Sequence, residues 1–228
     1  MSLDSTIFSS AHLDQARANA IAQQIRPWDV LDPRVLDVLT QVRREIFVPE
    51  AHRALTFVDM EIPLPEGQCM LSPKVEARLL QEADLKPSDE VLEIGAGSGH
   101  MAALLSHLSQ SVITVEKYPS LVQFALSNLS KAGIGNVTVI EGNGLSLDAS
   151  AAPRLFDVIV VSGGLARAPE GLLNQLKPGG RLLAIVGSAP VMQALLLEKR
   201  GSSVLKRGLF ETMVPMLEDA PVVSTFQF

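Results

Sequence analysis

Residues 91–100 read VLEIGAGSGH, and this stretch decides the fold. Residues 91–94 are a short apolar run of the length expected for a buried strand. Gly95, Gly97 and Gly99 follow at once, and then a helical window, AALLSHL at 102–108. Strand, glycine turn and helix together form the opening unit of a parallel α/β sheet. Glycine admits positive φ and close approach of a ligand, and the helix start offers unpaired N–H groups. The spacing is G-x-G-x-G and not the dinucleotide pattern G-x-G-x-x-G, because His100 stands at the last position. A tight strand-to-helix turn with no ligand has the same residues, so the loop alone decides nothing about function.

Toward the C-terminus the alternation continues. SVITVE (111–116) precedes LVQFALSNLSKAG (121–133); NVTVIE (136–141) and FDVIVV (156–161) follow. A helix is expected near APEGLLNQL (168–176), and a strand at GRLLAIVG (180–187). These runs are continuous rather than alternating, as in strands buried on both faces. Four or five such units predict a doubly wound, mostly parallel sheet over residues 87–228. SVLKRGLFETMVPM reads as a strand after the Gly201-Ser202 turn, whereas MQALLLEK before it fits strand or helix. Toward the N-terminus, residues 1–86 read as a helical extension with a loop, joined to the core as one unit. Leu13, Ala16, Ala20, Ile21 and Ile25 fall at helical spacing, and Asp32 caps a helix with Pro33 in its first turn. The stretch 47–71 carries Pro49, Pro63, Pro65 and Gly67 and reads as loop. A further helix opens at Ser72-Pro73.

Composition narrows the function. The 228 residues are 47% hydrophobic and 19% charged, enough apolar matter for a core and unlike a disordered chain. The net charge is −6, and neither part of a chain divided after Leu80 is basic, which argues against a nucleic-acid partner. No apolar run reaches membrane-spanning length, so no membrane partner is expected. One cysteine, Cys69, and four scattered histidines offer no metal-ligand spacing. The expected compartment is the cytoplasm.

Candidate site residues cluster at strand ends. Glu116, at the tip of the second strand, is placed to accept from both hydroxyls of a ribose, though a surface charge would look the same. Gly142, Asn143 and Gly144 end the third strand near the position of a base, or form an ordinary turn. Ser162, after the fourth strand, leaves room for a ligand. Glu93, just before the glycines, could answer the positive charge of a sulfonium directly or through water, which favours S-adenosylmethionine over a dinucleotide.

VLEIGAGSGH resembles the cofactor loop of class I S-adenosylmethionine-dependent methyltransferases. The segments RREIFVPE (43–50), DMEIPLPEGQ (59–68), NVTVIEGNG (136–144), LLNQLKPGGRL (172–182) and LFETMVPML (209–217) are similar to the protein-L-isoaspartate O-methyltransferase family. The resemblance covers residues 15–218. It implies a seven-stranded Rossmann-like methyltransferase sheet, with Gly95, Gly97 and Gly99 at the methionine part, Glu116 at the ribose, 142–144 at the adenine, and Ala96, Ser98 and Lys117 also among the cofactor-binding residues. It also implies methyl transfer to the carboxylate of isoaspartyl residues in damaged proteins, with S-adenosylhomocysteine as product. A carboxylate of pKa roughly 4 is already ionised, so no general base is required.

Two departures stand out. Asn143 occupies a position where the family carries an acid. The substrate loop of the family reads G-Q-T-I-S-x-P, whereas here it is Gln68-Cys69-Met70-Leu71-Ser72-Pro73. Leu71 replaces the serine and Ser72 lies one residue late, so Ser72 serves either the substrate or, as we prefer, the helix N-cap. A changed acceptor, or cofactor binding without catalysis, is the alternative. Asp59 is a second candidate for positioning the substrate, with a salt bridge preferred. Arg43 and Arg44 read as a solvated face.

Overall fold

Prolines and capping side chains set the helices that open the chain. In the computed structural model, which describes residues 10–146 and 154–220, α1 spans Ser10–Ala20 and runs on through a π turn (Ile21–Ile25) and a 3-10 turn (Arg26–Trp28). The left-handed Asp29, at φ 59°, ends it. In α2 (Pro33–Gln41) the Asp32 carboxylate accepts the Arg34 N–H at 2.8 Å, the expected cap. The proline-rich loop holds a two-stranded hairpin, β1 (Ile62–Pro63) with β2 (Cys69–Met70). Next comes α3 (Pro73–Glu82). Ser72 is the N-cap residue, as preferred, but its hydroxyl makes no capping bond. The Ser72 carbonyl instead accepts from Val75 and Glu76.

The alternating units then follow in order: β3 (Glu90–Ile94), α4 (His100–Leu108), β4 (Ser111–Glu116), α5 (Pro119–Lys131), β5 (Val137–Glu141) and β6 (Phe156–Leu165). The helix expected near 168–176 shrinks to α6 (Glu170–Leu173), because Leu176 already belongs to β7 (Leu176–Ser188). MQALLLEKR is strand β8 (Val191–Arg200), paired antiparallel between β7 and β9 (Ser203–Thr212). Its two-sided pairing and the burial of Met192, Ala194, Leu195 and Leu197 settle what periodicity left open.

The seven-stranded sheet has the order β5-β4-β3-β6-β7-β8-β9. All pairs up to β7 are parallel, and the last two are antiparallel. The chain winds outward from β3 to β5, then returns to lay β6 against the other side of β3. That reversal opens a crevice at the carboxyl ends of β3, β4 and β6. β6 also runs further than expected, through Ser162-Gly163-Gly164, with its register against β7 shifted between Val160 and Gly164.

Successive side chains of β3 point to opposite faces. Val91 joins a large core with Val158, Val160, the buried stripe of α4 (Met101 to Leu105) and residues of α2 and α3. Leu92 and Ile94 join a second core with Ile159, Val161, Leu172 and Leu195. The first core includes Ile25, Val35 and Val38, so the N-terminal helices pack into the same apolar mass as the sheet. This anchorage makes the loop at 59–72 a fixed wall over the crevice. Leu104 has no exposed surface. Leu104→Ala is therefore expected to cost roughly 2–5 kcal/mol in urea denaturation. A loss under about 1 kcal/mol would contradict this packing.

Candidate active site

The turn after β3 is shaped by its glycines. Gly95, Gly97 and Gly99 all take positive φ, at 92°, 52° and 84°. A Cβ on Gly95 would stand 3.3 Å from Leu217 Cδ2 and 3.6 Å from the Ser162 carbonyl oxygen, so the bare backbone leaves a narrow slot. Gly99 is bare for another reason: a Cβ there would press on Ala125 and Leu129 of α5 at 3.3 Å. It closes a helix–helix contact and does not face the crevice. Ala96 and Ser98 are also buried away from it. The Ser98 carbonyl accepts from Asn128 and its hydroxyl from the His100 N–H. Of the five loop residues expected at the ligand, the crevice is lined by Gly95 and Gly97 alone.

The crevice is an open cleft of about 570 Å³, counting the space that communicates with solvent. Besides those glycines, its lining includes Gln68, Cys69, Glu116, Lys117, Gly142, Asn143, Gly144 and Ser162 from the sequence reading. Ile94, Val115, Leu121 and Leu145 add an apolar floor. Glu116 Oε2 accepts the Gly97 N–H at 2.8 Å, and Oε1 accepts the Tyr118 N–H at 3.1 Å. Burial pushes this carboxyl above its usual range, while the backbone N–H groups pull it back. Each oxygen keeps capacity for a further donor. Asn143 Oδ1 accepts from Leu145 at 2.9 Å, which ties it into its own turn and leaves one lone pair.

Glu93 corrects the sequence reading. It has no exposed surface and does not line the crevice. Its oxygens accept Thr114 Oγ1 at 2.7 Å and Ser162 Oγ at 2.8 Å. Burial pushes its carboxyl up to about 8, so at neutral pH it is an uncharged partner that holds Ser162 and supplies no counter-charge to a sulfonium. The charge of the lining comes from elsewhere. Glu116 and Glu218 face one ammonium, Lys117, which is paired at 3.2 Å with Glu218 and at 2.7 Å with Asp219. This balance suits a cationic ligand and gives a pyrophosphate little to hold.

The substrate-loop residues separate. Gln68 and Cys69 face the crevice, whereas Met70, Leu71 and Ser72 are buried elsewhere. Burial, reinforced by Glu61 and Glu76, pushes the Cys69 thiol up to about 12, so no thiolate nucleophile forms there. Asp59 is an ion-pair residue, 2.6 Å from Lys74, whose ammonium lies 4.7 Å from the Trp28 ring centroid. Arg44 is not on a solvated face: it is 5% exposed and paired with Glu76, while Arg43 stays outside. The sequence reading missed Leu217 and Glu218. They reach the crevice because Gly164 donates to the Pro215 carbonyl and Leu217 donates to the Gly164 carbonyl, both at 2.8 Å. The Pro215 in the quoted LFETMVPML was the only local signal for a segment returning to the sheet.

The family model described as "Protein-L-isoaspartate(D-aspartate) O-methyltransferase (PCMT)" matches residues 16–219. The protein-L-isoaspartate O-methyltransferase of Koribacter versatilis (strain Ellin345) is 38% identical over 191 residues, 84% of this chain and 85% of that protein. The corresponding protein of Pyrococcus abyssi (strain GE5 / Orsay) is 40% identical over 174 residues, 75% of this chain and 80% of its own. Among solved structures, a putative protein-L-isoaspartate O-methyltransferase from Plasmodium falciparum, in complex with S-adenosyl-L-homocysteine, superposes with a TM-score of 0.75 at 21% identity. That superposition covers 90% of this chain and 97% of the other, and supports the doubly wound fold.

Glu93 generates a pH prediction. Its folded value lies above the ordinary 4.5, so the stability tied to its proton is complete below 4.5 and is lost as pH rises toward about 8. The loss runs up to about 1.4 kcal/mol per pH unit. His100 acts oppositely: burial holds it below 6.5, so its contribution is lost only as pH falls under that value. Between pH 6.5 and 8, the native protein should therefore lose unfolding free energy relative to Glu93→Gln. Parallel curves from denaturation at a series of pH values would show that Glu93 is not held neutral.

Proposed function

This chain belongs to the protein-L-isoaspartate(D-aspartate) O-methyltransferase family, and on that premise we propose that it methylates the free carboxylate of isoaspartyl residues in proteins or peptides, with S-adenosylmethionine as donor. The observation that carries the reading is Glu116 at the tip of β4, held by two backbone N–H groups and open to the crevice opposite Gly95 and Gly97. When bound, S-adenosylmethionine supplies a methyl group on a positively charged sulfur and leaves as S-adenosylhomocysteine.

The residues present fit that donor. The Glu116 carboxylate, pre-aimed by Gly97 and Tyr118, would accept both ribose hydroxyls. Gly142, Asn143 and Gly144 would border the adenine, with the spare lone pair of Asn143 Oδ1 available to its amino group. Gly95 and Gly97 would line the methionine part, and Ser162, held from beneath by Glu93, would stand beside it. The net negative lining favours the sulfonium. A free carboxylate acceptor is ionised at neutral pH, so the protein needs no acid–base pair. Its task is to hold a carboxylate oxygen in line behind the methyl carbon, about 3 Å away, and to exclude water. Gln68 and the backbone N–H at Ser162 would orient that carboxylate, and Leu217 and Cys69 line the same crevice.

Leu71 gives substance to a second reading, transfer to another acceptor, because at the position of the family serine a buried leucine offers no hydroxyl. One assay separates the two: labelled methyl transfer to an isoaspartyl peptide beside its normal aspartyl twin. Label in the isoaspartyl peptide alone is the expected result. Cofactor binding without peptide methylation would favour the second reading. In calorimetry, Glu116→Ala should weaken S-adenosylmethionine binding by about tenfold or more, about 1.4 kcal/mol. Unchanged affinity would remove Glu116 from the ribose.

A further inference from the structure

Arg44 reaches three elements from beneath the crevice. Its Nη1 pairs with Glu76 on α3 and lies 3.0 Å from Nδ1 of His100, the first residue of α4. Its Nη2 donates to the Leu71 carbonyl at 2.8 Å. His100 Nδ1 is also 3.0 Å from Glu76 Oε2, and the Phe47 ring meets the imidazole edge-on at 5.2 Å. All three polar side chains are buried, and none lines the crevice.

The position of the partners gives this cluster its meaning. Leu71 ends the loop whose Gln68 and Cys69 form one wall of the crevice. His100 opens the helix directly after the glycine turn, whose Gly95 and Gly97 form the facing wall. One rigid guanidinium thus bridges the backbone of the first wall and the helix start behind the second. A buried ion pair is a weak source of net stability but a strong geometric constraint, because its planar fork fixes direction as well as distance.

We propose that Arg44 is a positioning residue for methyl transfer: through Leu71 and His100 it holds the acceptor wall in register with the donor wall. This rests on the methyltransferase reading above and adds a residue that touches neither ligand.

The test uses the full chain. Arg44→Lys keeps the charge opposite Glu76, but an ammonium lacks the fork that spans Glu76, His100 and Leu71. A misplacement of about 1 Å can cost a factor of about 100 in rate. Arg44→Lys is therefore expected to lower kcat on an isoaspartyl peptide by at least about tenfold, while the Kd for S-adenosylmethionine stays within about threefold. The double variant Arg44→Met with Glu76→Met removes both charges together and guards against misfolding. It should show the same split. A folded variant with native kcat, or one whose losses lie wholly in cofactor affinity, would overturn the proposal. Hydrogen exchange on the native protein needs no variant: the amides of 69–72 should open together with the first turn of α4. Independent opening of the loop would also overturn it. Absence of methyl transfer by the native protein would instead count against the proposed acceptor, and the exchange measurement would still decide the coupling.

Discussion

The 2.8 Å hydrogen bond from the Gly97 amide to Glu116 Oε2 fixes the glycine turn to the tip of β4, one step beyond the Gly95 amide, which donates to the Val115 carbonyl at 2.9 Å. Without it, the turn after β3 would lose its tie to this carboxylate, and the carboxylate would keep only the Tyr118 amide to direct it. With it, the loop acquires one conformation and the carboxylate one direction. The positive φ values at the three glycines are the backbone condition for this bond, and the parallel pairing of β3 with β4 brings its ends within reach. The same carboxylate then faces a crevice that exists because the strand order reverses beside β3.

The chemistry proposed for that crevice makes modest demands. An ionised acceptor and a charged donor need alignment and dryness more than proton transfer. The side chains match that demand. Glu93 is neutral and buried, Cys69 is held as a thiol, and His100 is locked in a cluster beneath the floor. The groups that could do acid–base or nucleophilic work are thus disarmed by burial. What remains exposed to a ligand is backbone, two carboxylates, one paired ammonium, neutral polar groups such as Gln68, Asn143 and Ser162, and apolar side chains.

Much of this was readable in the residues, and the part that was not has a common cause. Strand–turn–helix alternation, the glycine turn and Glu116 all lie within short windows, where periodicity and spacing report directly on local geometry. Glu93 misled because a carboxylate beside a glycine loop suggests an exposed charge, whereas the alternation of side chains along β3 turns it under the sheet end, onto Thr114 and Ser162. Arg44 misled for a different reason. The doublet Arg43-Arg44 resembles a solvated face, yet its decisive partner, Glu76, lies 32 residues away. Leu71 and Ser72 depart from the family pattern in sequence, and in the structure the carbonyl of each serves the fold. Pairings between distant segments leave no local trace, and the errors gather there.

Leu217 gives the architecture a temporal side. The glycine turn and Glu116 emerge early in synthesis, but β6, the second neighbour of β3, is made only after β5. The segment that seals the crevice through Gly164 comes later still. Until then the apolar floor of Ile94 and Val115 has no cover, and the long-range contacts that complete it carry a high loop-closure cost. A chain broken off before that segment would keep every residue of the nucleoside signature and yet have no chamber in which to use it.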